Sequence, residues 1–539
     1  MGTFYRFPFT IYERRPFIMP KNNETKFDSY FKLPNPGLRS YFDIVRTGSP
    51  DVIRAPFANK SDPQKVLADW MPTLEQLTDK WPTLVDFEKD LAKKVGPMSV
   101  MKPLDERLKD IDSYYDSILL ESQPLDNRAV NAVIKEFSGV RGLRCRSEKD
   151  TVDRMKKSTN SGSPYFTKRK RVISETIPAT VLSPNTQILG DVEWNACAVL
   201  GWRGQEGGPN VADVKQRVVW MFPFAVNIEE LQVYQPLIEA CQSLNLVPAW
   251  VSMEAVDQRI TKMFDTKGSN DLVICTDFSK FDQHFNGDCQ DAARSILEAI
   301  LTPSLNSQRW LNHVFPMKYN IPLAYDYGKI RHGKHGMGSG SGGTNADETL
   351  THRALQYEAA ISCNQRLNPY SQCLGDDGVL TFPGITVDAV MQAYCSHGLE
   401  MNSDKQYASK QDCVYLRRWH HKDYRVDGVC AGVYATTRAL GRLMYQERYY
   451  DPEEWGPEMV ALRQLSIIEN VKYHPLRDQF AEFCMARDKY RLGIDIPGFL
   501  DNIKRKAEEA IEVMPDFLGY TKSLQRDNPA SGIESWWIV

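Results

Sequence analysis

No two of the eleven cysteines have the CxxC spacing, and they lie scattered from Cys145 to Cys484. An odd count without regular spacing excludes a disulfide scaffold and a zinc module, and fits a reducing compartment. Charge of one sign is also missing: 66 basic residues face 69 acidic ones, for a net charge of −3. A simple basic coat for nucleic acid is thereby excluded, while a basic channel inside a near-neutral chain is not. No window approaches the roughly 18 unbroken apolar residues of a membrane helix. The opening stretch MGTFYRFPFTIYERRPF is interrupted by Arg6, Glu13, Arg14 and Arg15. It does not read as a secretory signal, and Arg6 stands where a myristoylation signal needs Ser or Thr. A soluble protein without membrane contact is expected. Internal repeats and low-complexity tracts are absent too.

What is present is ordinary globular material, 42% hydrophobic and 25% charged over 539 residues. That length predicts three or more domains or subdomains. Residues 1–60 are rich in Pro, Phe, Tyr and Arg with little periodicity, and read as an extended arm. Apolar residues recurring at three and four, as in LVDFEKDLAKKV and AVNAVIKEF, predict helices over much of 62–157. Residues 158–220 read as loop-rich, and helices resume from 226 to 265. An α/β core follows: a strand at 272–276, a helix near 288–301, a Gly-rich loop at 333–343 and a helix near 346–362. A hairpin at 370–382 and a helix near 387–397 complete it, the latter with Thr386 as N-cap and Gly398 beyond its end. Residues 437–525 are again helical in pattern.

The stretch LVICTDFSKFDQHF carries two aspartates five positions apart, Asp277 and Asp282. On one continuous strand an odd spacing turns side chains to opposite faces, so either the two do unrelated things or the chain bends between them. In YSQCLGDDGVLTF, strands Tyr370–Leu374 and Val379–Phe382 flank Gly375-Asp376-Asp377-Gly378, read as a tight turn presenting two carboxylates. Aspartates without His or Cys are hard oxygen ligands and call for Mg²⁺ or Mn²⁺. If the strand ending at Asp277 pairs with the hairpin, Asp277 and Asp376 meet across two ions about 4 Å apart, a clamp for phosphoryl transfer.

In that order TDFSKFD, SGSGGT and GDD resemble motifs A, B and C of viral RNA-dependent RNA polymerases. TNSGSPY (159–165) is similar to motif G, VKQRVVW (214–220) to motif F, GLEMNSDK (398–405) to motif D and YLRRWH (415–420) to motif E. Within the family, the polymerases of picobirnaviruses stand nearest in length, N-terminal arm and wording. The resemblance implies metal binding by Asp277 and Asp376 with Asp377 as accessory ligand, and ribose recognition by Asp282. It further implies nucleotide contacts from Lys215, Arg217, Ser339, Thr344 and Asn345, with Lys405 as general acid to the leaving pyrophosphate. RNA contacts would come from Thr159, Gly162, Lys168, Arg169 and Gly340. Of Arg417 and Arg418, which cannot share one face of a strand, Arg417 is assigned to RNA. The sequence departs from the common SGxxxTxxxN form, because Glu348 occupies the Asn position and leaves Asn345 and Glu348 as two candidates for the missing amide. GKIRHGKH (328–335) imitates a Walker loop, but His335 replaces the hydroxyl that would hold the metal. His332 and His335 read as loop or surface residues.

The implied fold is an α+β right hand: fingers, a palm on a small antiparallel sheet and a helical thumb, closed by an N-terminal arm. The arm is drawn at 1–60, fingers at 61–270 and 303–335, palm at 271–302 and 336–436, and thumb with C-terminal tail at 437–539. The tail ends in Trp536-Trp537, read as a buried anchor or a stacking platform for an initiating nucleotide. The implied partners are template and nascent RNA, ribonucleoside triphosphates and the capsid interior. A monomer working in the virion and the host cytoplasm is expected, belonging to a double-stranded RNA virus. A reverse transcriptase is disfavoured by Gly375 and Asp282, and a silent RNA-binding or capsid protein by the intact set of Asp277, Asp376, Asp377 and Lys405.

Overall fold

The structure, a computed structural model, describes residues 27–31, 37–183, 186–189, 192–451, 455–513, 525–526 and 533. Residues 1–26 of the arm and the Trp536-Trp537 tail lie outside the described residues. The arm is not wholly extended: helix α1, Gly37–Thr47, buries Leu38, Phe42 and Val45. Their spacing of four and three is a helical stripe that the surrounding Pro-rich composition obscured. Helices at Pro63–Glu75 and Asn127–Glu136 follow, capped by the Asp62 and Asp126 carboxylates.

The region expected to be loop-rich contains two sheets. Strands β1 (Ala179–Ser183), β2 (Thr186–Leu189) and β3 (Val192–Asn195) form one; β4 (Ala198–Gln205) and β5 (Lys215–Met221) belong to another. Much of the Gly, Ser and Pro that sets the loop-like composition sits in the connections, though Gly201 and Gly204 lie within β4, and buried Ala198–Leu200, Val218 and Trp220 anchor the strands. Helix α2, Phe224–Ser243, runs next, then β6, Val273–Thr276, buried along its whole length. Strands β7 (Leu323–Asp326) and β8 (Lys329–Arg331) extend the second sheet in the order β5-β4-β7-β8, with β4 and β7 parallel.

Helix α3, Thr344–Ser362, follows the Gly-rich loop; nearly all its first twelve residues after Asn345 are buried. It lies under the central sheet, whose remaining strands are β9 (Gln372–Leu374), β10 (Asp377–Leu380) and β11 (Tyr407–Ser409), in the order β11-β6-β10-β9, all antiparallel. Helix α4, Val387–Cys395, is capped by Thr386, whose side chain accepts from the Ala389 N–H, and Gly398 adopts φ +74° past its end. A fourth sheet, β12 (Asp412–Tyr415), β13 (Arg418–His421) and β14 (Val433–Tyr434), adjoins the palm where the Val414 N–H reaches the Cys275 sulfur.

Helices α5 (Thr436–Met444) and α6 (Pro457–Glu469) open the C-terminal helical region. Its core is shared with chain-distant residues Val66, Leu67, Trp70 and Leu74. Fully buried Glu88 accepts from the Thr436 and Thr437 N–H groups, capping α5 from another helix. The segment around α1 ties both sides together. Arg46 pairs with Asp326 and Tyr41 donates to the Leu200 carbonyl, while the Ala55 N–H donates to Met444. All eleven cysteines are free. No helix among the described residues is long and apolar enough to cross a membrane.

Candidate active site

Register brings the aspartates together. Thr276 pairs with Gly378 and Leu374 with Asp377, so Asp277 leaves the end of β6 beside the β9–β10 turn. That turn is shorter than the expected four residues. Only Gly375 and Asp376 occupy it, with Gly375 at φ +58°, where a two-residue hairpin loop favours glycine. Asp377 is therefore a strand residue rather than a turn residue, because the ladder closes one pair further out than apolar patterning suggests. Its Oδ2 accepts from the Leu416 N–H at 2.8 Å. Burial, and the Asp376 charge beside it, push its carboxyl up to about 7.

Asp277 is exposed in the cleft. Loss of surrounding water raises its carboxyl first and Asp376 adds to that, against Lys405, Lys94 and Lys215. Two carboxylates repelling across a cleft, with cations gathered round, form an arrangement that a divalent ion stabilises. Among the described residues no three His, Cys, Asp or Glu side chains form a metal-holding cluster. Asp377, with one oxygen committed to Leu416, still feels the charges of both Asp376 and Asp277.

The chain bends between the two aspartates of the opening stretch. Lys280 adopts φ +52° and starts a short helix, Phe281–His284, which carries Asp282 back toward α3. There Asp282 meets Glu348 in a carboxyl–carboxyl hydrogen bond. Burial first, and then the adjoining Asp282 charge, hold Glu348 protonated well above its ordinary range. A neutral carboxyl is a donor, as an amide is. Asn345 points elsewhere, its Oδ1 accepting from the Trp250 N–H at 2.7 Å. Between the two candidates at motif B, Glu348 faces Asp282.

Three supporting side chains escaped sequence reasoning. The Gly375 N–H donates to Thr349 Oγ1 at 2.9 Å, and His352 Nδ1–H donates to the Gly375 carbonyl at 2.8 Å. His352 is fully buried against Phe278, Phe281 and Tyr394, and burial pushes its imidazole down to about 4, so it is neutral. Gln406 brackets the Asp277 peptide from the other side, at 2.9 and 2.8 Å. Little in the sequence signals them, because Glu348, Thr349 and His352 stand on a helix that also buries Asp347, Thr351, Arg353 and Gln356.

A family model described as viral RNA-dependent RNA polymerase matches residues 95–431. The chain belongs to the viral RNA-dependent RNA polymerases. It is 64% identical over 521 residues to the potential RNA-dependent RNA polymerase of Human picobirnavirus (strain Human/Thailand/Hy005102/-), covering 95% of this chain and 97% of that one. The crystal structure of the RNA-dependent RNA polymerase of a human picobirnavirus superposes with a TM-score of 0.91 at 63% identity, covering 95% and 97% of the two chains. Its insertion-loop deletion mutant gives 0.88 at 63%, covering 90% and 96%. The protein is thus an RNA-directed nucleotidyltransferase of the picobirnavirus type with a right-hand fold, and the rival readings fall away.

The polymerase's motif B loop is packed rather than free. Ser339 Oγ donates to the Val218 carbonyl at 3.2 Å, and Thr344 Oγ1 donates to the Gly338 carbonyl at 3.3 Å. A Cβ on Gly340 would lie 1.6 Å from the Trp220 carbonyl oxygen, so only glycine fits this backbone contact. Ser341 and the Gly342 N–H both reach buried Glu230.

On motif F, Lys215 and Arg217 are exposed on one face of β5. Arg203 lies opposite Arg217, but its guanidinium is taken by Glu447 at 2.7 Å. In motif G the Arg169 N–H donates to the Thr159 carbonyl, and Gly162, at φ +61°, lies against the Phe222 carbonyl. Lys168 is exposed, whereas Arg169 turns inward to Asn227 Oδ1 at 2.9 Å, and Asn227 in turn donates to the Gly340 carbonyl. Template-entry and motif B loops are thereby joined through one asparagine. In motif E, Arg418 is buried on Asp257 at 2.8 and 2.9 Å, while Arg417 stands exposed at a turn whose two residues, Leu416 and Arg417, both have positive φ. His335 is not a surface residue. It is fully buried, stacks on Trp220 with centroids 4.2 Å apart and bonds the Ile321 carbonyl region through Nε2.

Proposed function

We propose that Asp277 and Asp376 hold the two divalent ions, Mg²⁺ or Mn²⁺, with the second oxygen of Asp377 in the accessory place. The observation that carries this reading is the convergence of Asp277 and Asp376 beside Lys405 in one open cleft, close enough for their charges to act on one another. An all-carboxylate donor set suits hard cations. When bound, such ions polarise the reacting phosphate and neutralise charge on the attacking and leaving oxygens. The chain's own residues position and donate. Lys215 and Arg217 neutralise the incoming triphosphate, and Lys405 gives a proton to the leaving pyrophosphate. Asp282, held by the proton of Glu348, accepts from the ribose 2′-OH, the group that separates RNA from DNA. Ser339 and Thr344 shape the nucleotide side of the cleft, and Asn345 supports the start of α3 through Trp250. Thr159, Gly162, Lys168, Arg169, Gly340 and Arg417 border the RNA path, where exposed Lys168 and Arg417 make the direct phosphate contacts. The enzyme works as a monomer, in the capsid interior and in the host cytoplasm.

The test is RNA synthesis by purified protein on a single-stranded RNA template with four ribonucleoside triphosphates and Mg²⁺ or Mn²⁺. Asp277→Asn and Asp376→Asn should each abolish product while template binding persists. Full activity in either variant refutes the ligand assignment.

A further inference from the structure

The ladder between β6 and β11 pairs Val273 with Ser409, Ile274 with Ala408 and Cys275 with Tyr407, and then stops. Had it continued, Asp277 would have faced Lys405. A hydrogen-bonded antiparallel pair exchanges two bonds, one to the N–H and one to the C=O of the same residue. Both of those groups on Asp277 are satisfied, but by a side chain. The Asp277 N–H donates to Gln406 Oε1 at 2.9 Å, and Gln406 Nε2 donates to the Asp277 carbonyl at 2.8 Å. A carboxamide has the donor and acceptor of a peptide group, so it can serve as one more rung. The main chain is thereby released from pairing one residue early, and Ser403–Lys405 turns as a short helix instead. Gln406 Nε2 also donates to the Asn402 carbonyl at 2.9 Å, locking that turn to the same amide.

We propose that Gln406 is a positioning residue for nucleotide addition: its side-chain amide fixes the Asp277 peptide and sets Lys405 across the cleft from the Asp277 carboxylate. The stability argument for these bonds is weak. Asp277 and Lys405 are exposed and Gln406 is half-buried, and hydrogen bonds open to water contribute only about 1 kcal/mol net. Their value is geometric. One amide ties a metal-binding carboxylate to the segment carrying the proposed acid, so the two move as a unit.

The proposal rests in part on the general-acid reading of Lys405, and the experiment separates the two. Full-length Gln406→Leu, Gln406→Ser, Lys405→Leu and the double variant Lys405→Leu/Gln406→Leu are compared on a primed RNA template in single turnover. Gln406→Leu and Gln406→Ser should each be slower by about tenfold, with triphosphate KM and template affinity within about twofold. The double variant should lose less than the product of the two single losses, because part of the Gln406 effect acts through Lys405. In metal-free protein, amide exchange over residues 275–279 should accelerate in both Gln406 variants. Unchanged exchange, an unchanged single-turnover rate, or losses that multiply in the double variant would each overturn the proposal. Lys405→Leu at full rate would instead end the general-acid reading, and Gln406 would then stand or fall on its own rate and exchange data.

Discussion

The two aspartates proposed to hold the metal ions are supported in opposite ways. The turn bearing Asp376 is gripped from below by Thr349 and His352, rooted in the buried face of α3. Asp277 is held from the side by Gln406, at the rim, in a segment whose neighbours are exposed. One support is part of the core and cannot yield without unpacking aromatic rings. The other consists of solvent-accessible hydrogen bonds, which open cheaply. The comparison teaches that the site has a fixed half and an adjustable half, and that the adjustable half travels with Lys405.

The largest effect should come from breaking the fixed half. His352→Leu leaves the Gly375 carbonyl without its donor in a buried place, which costs about 1–3 kcal/mol of stability, and misplaces Asp376. Single-turnover synthesis should fall by about 10²-fold, while His352→Asn, whose amide can reach the same carbonyl, should recover much of it. If His352→Leu retains wild-type synthesis, the two halves do not differ as described. A smaller effect sharpens the picture one turn earlier on the same helix. Glu348→Ala should relax ribo- over deoxyribonucleotide selection by about tenfold, and Glu348→Gln, which keeps a donor, should preserve it. Equal selectivity in Glu348→Ala and wild type would return the ribose to other residues.

The smallest expected effect is on pH dependence of stability. His352 is held neutral with its imidazole down at about 4 against an ordinary 6.5. Between those values the unfolded chain binds the proton that the folded chain refuses. Stability contributed by His352 is therefore present above about pH 6.5 and lost as pH falls toward 4. Replacing it with Asn should flatten that part of the acid limb in thermal unfolding, whereas Gln406→Leu, which removes no titrating group, should leave the limb's slope as in wild type.

How far the sequence could be read follows from the range of the interactions. Local signals were legible: the Val273–Thr276 strand, the glycines at the hairpin and Thr386 capping its own helix three residues on. The resemblance supplied Asp277, Asp376 and Lys405, which the structure brings to one cleft. What could not be read is non-local. The Gln406 rung joins residues 129 apart, and the Asp377 carboxylate is fixed by the N–H of Leu416, 39 residues on. His335 looked like a loop histidine because nothing nearby announces the Trp220 ring that covers it. Helix α1 was hidden by prolines and aromatics on either side, and β4 and β5 by the glycine-rich connections between them.

The glycine loop ahead of α3 has a further consequence when regarded as a mechanical part. Gly340 already touches the Trp220 carbonyl, Gly338 the Lys318 carbonyl and Gly343 the Tyr234 ring, each so closely that a Cβ would not fit. The loop is seated against a stop. Movement toward the Trp220 strand, the Lys318 carbonyl or the Tyr234 ring is closed to it, and any displacement that accompanies nucleotide addition has to take a direction these three contacts leave open.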